Sequence, residues 1–215
     1  MTVPSQRLTP RKMPIQVRAQ ETQQRFLEAA ARVFARHGYS AGTTNRIAEE
    51  AGASVGSLYQ YFPNKDAILV ALVRQHVADG AALVAARLAD TDALPLVERL
   101  GVFVDAVLAN HSGDPRLHQV LFEEAPRPPE LLAELHTLEA SIIASAEAMI
   151  RADDTIDVDD PAMAARLVVT AIESLIHRYI SSRHDNLDLD SFRNELVTML
   201  TRYLRGSAAP ATRAR

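Results

Sequence analysis

The chain has no cysteine among its 215 residues, which excludes disulfides, iron–sulfur clusters, zinc–thiolate sites and a cysteine nucleophile. A reducing compartment suits such a chain. Its first stretch, MTVPSQRLTPRKMPIQVR, lacks the apolar h-region of a signal peptide. No later apolar run approaches the roughly 18 residues of a membrane span, so a soluble, cytoplasmic protein is expected. Period-two alternation is nowhere sustained, which argues against strands. Paired Glu-x-x-His segments, His-Glu-x-x-His and Gly-x-Ser-x-Gly are all missing, so no enzyme, cofactor or resident metal is expected. Aromatics are scarce, at 5%, yet Tyr59, Tyr61 and Phe62 fall within four residues, inside a segment without charge from Ala51 to Pro63.

What the chain does have is helical periodicity, and the expected fold class is all-α. Residues 1–17, with three prolines among polar and basic side chains, read as a disordered basic arm. A first helix is expected over about 18–37, ending at Gly38, followed by short helices over 44–51 and 54–62 separated by Gly52. Asn64 is a suitable cap for a long helix reaching about Ala89, and further helices are expected over about 95–110, 115–124, 129–152, 161–183 and 190–205. The domain reading is 18–63 for a DNA-binding unit, 64–206 for a larger helical unit and 207–215 for a disordered tail.

Charge divides the same way. The net charge is −4, but residues 1–65 hold nine Lys/Arg against four acids, a balance of +5. The remaining 150 residues carry 14 basic and 23 acidic groups, or −9. A basic unit for a polyanion joined to an acidic unit fits this distribution.

Two short helices joined by a glycine-containing turn match a helix-turn-helix, whose second helix enters the DNA major groove. At about 100° per residue, Val55, Leu58 and Phe62 share one sector and read as a core stripe. Gly56, Ser57 and Gln60 lie opposite, with Tyr59 and Tyr61 on the shoulders. Gln60 suits an adenine edge, Ser57 can donate or accept, and the hydroxyls of Thr44 and the tyrosines suit phosphates. Plain packing remains an alternative for each tyrosine. Arg7, Arg11, Lys12 and Arg18 could follow the backbone or the minor groove.

The segment TTNRIAEEAGASVGSLYQYFPNKDAIL, preceded by FARHGY, resembles the DNA-binding domain of the TetR family of bacterial transcriptional regulators. The likeness rests on the Thr pair, Ile-Ala, Ala-Gly-x-Ser, Tyr-x-Tyr-Phe and the following Lys, and spans roughly residues 18–72. It implies DNA contacts by Thr44, Gly56, Ser57, Tyr59, Gln60, Tyr61 and Lys65, with Ile47, Leu58 and Phe62 holding the helices together. Asn45, Arg46 and Val55 complete the expected contact set. Many members have lysine where this chain has Val55, which puts one contact in doubt.

The resemblance also implies a homodimer on a palindromic operator, formed by a four-helix bundle of the last two helices of each chain. Leu167, Ala171, Leu175, Tyr179, Phe192, Leu196, Met199, Leu200 and Tyr203 are the expected interface, and Met163 lies on the same apolar helix. Between these helices and the DNA-binding unit a small-molecule cavity is implied. Phe103, Val107, His111, Leu121, Phe122, Glu173 and His177 are its candidate lining, in a region that also contains His118, Glu123, Glu124 and His136. The expected function is a sequence-specific, ligand-released repressor. A DNA-binding or architectural protein that senses nothing, and an enzyme using the bundle cavity, are the alternatives.

Overall fold

The computed structural model describes residues 15–206 apart from residues 90, 92 and 182–187; the expected basic arm, apart from residues 15–17, and the expected C-terminal tail lie outside the described residues. All regular structure among the described residues is helical. The elements are α1 (Ile15–Ala41), α2 (Thr44–Glu50), α3 (Val55–Tyr59), α4 (Lys65–Leu88), α5 (Leu96–His111), α6 (Pro115–Gln119), a π-helical turn (Val120–Glu124), α7 (Pro129–Ala152), α8 (Pro161–Ser181) and α9 (Leu189–Leu204).

Side-chain caps set most of the starts. Thr43 accepts from the Arg46 N–H ahead of α2, Ser54 from the Ser57 N–H ahead of α3, and Asn64 from the Ala67 N–H ahead of α4. Asp114, Asp160 and Asp188 do the same for α6, α8 and α9. The expected stop at Gly38 is a break rather than an end. Its φ of 71° leaves the helical region, and the chain resumes helical turns to Ala41. The Val120–Glu124 stretch, expected as ordinary helix, is wound as a π turn instead.

A third difference concerns α4. It is long and apolar enough to pass for a membrane span, with a mean hydropathy of 1.5 over 18 residues. The expectation that no segment approaches that length counted uninterrupted apolar runs. The stretch reaches this average although Arg74, His76 and Asp79 interrupt it. In the fold α4 packs on α1 and α5.

Two cores result. The first joins Phe26, Val33 and Phe34 of α1, Ile47 of α2, Leu58 of α3 and Ile68 and Leu69 of α4. Val120, Leu121 and Leu131 from beyond residue 64 complete it. The second gathers α5, α7, α8 and α9 around Val104, Ile172 and Ile176. α4 extends about 36 Å from one core toward the other.

Candidate DNA-reading face and internal cavity

Leu58 is fully buried against the first core and Phe62 nearly so, which turns the opposite side of α3 to solvent. Gly56, Tyr59 and Gln60 are exposed and Ser57 is half-buried. On α2, Asn45 and Arg46 are exposed, and an Arg46 Nη1 donates to the Ala41 carbonyl at 3.0 Å. The hydroxyls of Thr44 and Tyr59 lie 3.2 Å apart, tying the first turn of α2 to the last turn of α3. Tyr61 is half-buried, its ring 5.7 Å from that of Phe26.

Two expectations change. Val55 is not part of the core stripe and stands 37% exposed. Helix α3 has only five residues, so a stripe extrapolated over two turns fails at its first position. Lys65 is engaged within the fold: its ammonium donates to the carbonyls of Tyr39 at 2.9 Å and Ser40 at 3.3 Å and lies over the Tyr39 ring. Nearby, Arg32 and Arg36 clamp Glu50 at 2.7 and 2.9 Å, and their hydrogen bonds hold its carboxyl below the usual range.

Helices α4, α5, α7 and α8 surround a cavity of about 510 Å³. Its wall is mostly apolar, with Val84, Phe103, Val107, Ile142, Met149 and Val168 among its residues. Polar groups are few, and include Arg99, Asn110, Ser145 and Glu173. Of the candidate lining residues, Phe103, Val107, His111, Phe122 and Glu173 face it. Leu121 does not, because the π turn directs it into the first core. His177 lies behind Phe122, with the rings 4.1 Å apart, rather than on the wall. Burial raises the Glu173 carboxyl above its ordinary pKa. Arg99 is held by an ion pair with Asp153.

On the outer side of α8, Met163, Leu167 and Leu175 are exposed at multiples of four residues, and Met199 and Tyr203 are exposed on α9. Two of the nine expected interface residues need restating. Leu196 and Leu200 belong to the second core and are buried within the protomer. Phe192 and Ala171 are partly buried against that core, and Tyr179 stacks on Phe192 with centroids 4.2 Å apart. A stripe wide enough to serve both the protomer's core and a partner does not say in sequence which residues do which.

The signature described as "Bacterial regulatory proteins, tetR family" matches residues 26–72, and "Tetracyclin repressor-like, C-terminal domain" matches residues 95–204. The chain belongs to the TetR family. Among TetR-family relatives, it is similar to the HTH-type transcriptional repressor AcnR of Corynebacterium diphtheriae, 40% identical over 62 residues, 29% of this chain and 33% of that protein. The chain thus aligns with about a third of such a relative's length. The fold is similar to the fatty acid degradation regulator FadR from Bacillus halodurans, with a TM-score of 0.69, 19% identity, and 92% and 100% of the two chains covered. It is also similar to FadR from Bacillus subtilis in complex with stearoyl-CoA, with a TM-score of 0.65, 20% identity, and 84% and 98% coverage.

At one end of the cavity this TetR-family chain assembles a cluster that spacing does not announce. His76 of α4, His111 of α5, His118 of α6 and His177 of α8 meet around Phe122, with His118 and His177 ring centroids 4.3 Å apart. Burial, then the neighbouring imidazoles, lowers His76 to a pKa of about 4, His118 to about 3 and His177 to about 4. These three rings are therefore neutral at neutral pH. His76 was missed as a functional residue because α4 reads as a spacer between units.

Proposed function

We propose that this chain is a homodimeric, sequence-specific transcriptional repressor of the bacterial cytoplasm, released from a palindromic operator when an apolar small molecule fills its cavity. The observation that carries the proposal is the double use of α4. One end, Lys65 and Asp66, bonds to Tyr39 in the DNA-reading unit, and the other end, with Val77, Val84 and Leu88, forms a cavity wall. An occupant that shifts α4 shifts the reading face with it. The effect on operator affinity equals the ligand's preference for one arrangement over the other, typically about 1–3 kcal/mol.

Gln60 and Ser57 read base edges, Thr44 and Tyr59 hold phosphates, and the two heads of the dimer meet successive major grooves about 34–36 Å apart. The exposed α8–α9 stripe is the dimer face. The apolar wall with a few polar groups suits a ligand with an aliphatic or aromatic body and a polar head. The stearoyl-CoA bound by the Bacillus subtilis FadR makes acyl compounds the first class to test.

The test pairs thermal-shift screening of fatty acids, acyl-CoA thioesters and aromatic compounds with gel shifts on DNA upstream of the protein's own gene. A compound that raises the melting temperature should loosen the complex with that DNA. If a scrambled sequence competes as well as the cognate site at moderate salt, sequence-specific repression is wrong. If specific binding holds but no compound moves it, the non-sensing regulator is the correct reading.

A further inference from the structure

Four of the chain's seven histidines gather at one end of the cavity, whereas His37 and His136 stand exposed on the surface. His76, His111 and His118 each offer a ring nitrogen, and these atoms lie within 4.8 Å of one another. In a tetrahedral site with metal–nitrogen bonds of about 2.0–2.1 Å, ligand nitrogens stand ~3.3 Å apart, so each ring need move inward by less than about 1 Å.

His118 supplies the second, independent observation. It is 4% exposed, and neither of its ring nitrogens has a hydrogen-bond partner. A buried donor and acceptor left unpaired is costly, and native structures retain such a group where something outside the chain satisfies it. The His111 Nδ1 lies 2.8 Å from the Val107 carbonyl. With its proton on Nδ1 for that bond, His111 presents a bare Nε2, the second-sphere arrangement that orients metal-bound histidine.

We propose that His76, His111 and His118 form a binding site for one divalent transition-metal ion per chain. Imidazole ligands select Zn²⁺, Co²⁺, Ni²⁺ or Cu²⁺ over Mg²⁺ and Ca²⁺, which require oxygen donors. Three protein nitrogens leave a coordination position for an oxygen donor, either water or a polar head group in the cavity that His76 and His111 line. The ion would bridge α4, α5 and α6.

The full-length chain, prepared without a histidine tag and stripped with a chelator, should take up one Co²⁺ per chain with a visible d–d absorption, and one Zn²⁺ should displace it. Mg²⁺ at the same concentration should not bind. His118→Ala should weaken Zn²⁺ binding by about 100-fold, and His136→Ala should leave it unchanged. His76→Ala, at a half-buried position on the cavity wall, gives the same test should His118→Ala fail to fold. Absence of stoichiometric Co²⁺ and Zn²⁺ binding, or binding unaltered in a folded His76→Ala variant, would overturn the site. Metal uptake is measured without DNA, so its failure would leave the repressor reading standing.

Discussion

The backbone N–H of Tyr39 donates to the carboxylate of Glu124 at 3.0 Å, joining residues 85 positions apart. Glu124 also pairs with Arg116 at 2.9 Å, and the Arg116 guanidinium comes within 2.5 Å of where a Cβ on Gly38 would stand. The end of α1 is thereby anchored to the π turn, and the Phe122 of that turn faces the cavity. Val120 and Leu121, from the same turn, are buried in the first core, with Phe34, Ile47 and Leu58. Two halves that composition separates thus share a hydrogen bond and a core.

Glu124→Ala should lower stability by about 1–2 kcal/mol, since it leaves the Tyr39 N–H and the Arg116 guanidinium without their carboxylate. Urea unfolding should show a lower midpoint with an unchanged slope. Glu124→Gln, which keeps an acceptor for the N–H, should recover part of the loss. A midpoint equal to the parent's in Glu124→Ala would mean the anchor contributes nothing.

Val55→Lys should be accommodated without loss of stability, because Val55 is exposed at the first position of α3. A cation there should tighten DNA binding and steepen the dependence of log affinity on log salt by about one unit. Fluorescence anisotropy over a salt series would measure this. An unchanged slope would place residue 55 away from the phosphates.

For Lys65→Ala the structure redirects the expectation. As a free phosphate contact its removal would flatten the salt slope by about one unit. Because the ammonium instead donates to the Tyr39 and Ser40 carbonyls, the main effect should be a stability loss of about 1–2 kcal/mol with little change in slope. Unfolding curves and the same anisotropy series separate the outcomes.

Leu167→Glu and Leu196→Ala should act on different equilibria. Leu167 is exposed on the protomer, so a carboxylate there should cost the protomer fold little and shift sedimentation toward monomer. Leu196 is buried in the second core, and its truncation should cost about 2–5 kcal/mol. A Leu167→Glu variant that sediments like the parent would exclude this face from the interface.

The helices were legible because their signals are local. Thr43, Ser54, Asn64 and Asp160 cap where a hydroxyl, amide or carboxylate precedes a periodic apolar run, and Gly52 with φ of 63° makes the turn between α2 and α3. The outward side of α3 followed from spacing as well, save at Val55, where the helix is too short for the stripe to continue. Leu196 and Leu200 were misplaced for a different reason. An apolar residue on a helix with two neighbours has the same pattern whichever neighbour it meets.

By itself the amino-acid sequence determined the all-helical class, the position of the paired short helices and the charge difference between the two halves. All three depend on residues within a few turns of one another, or on composition. Only the tertiary structure decided that Glu124 holds Tyr39, that Lys65 is occupied within the fold, and that His76, His111, His118 and His177 meet. Except for His111 and His118, seven positions apart on successive helices, those contacts join residues 25 to 85 positions apart, and no periodicity along one helix carries information about a neighbour on another.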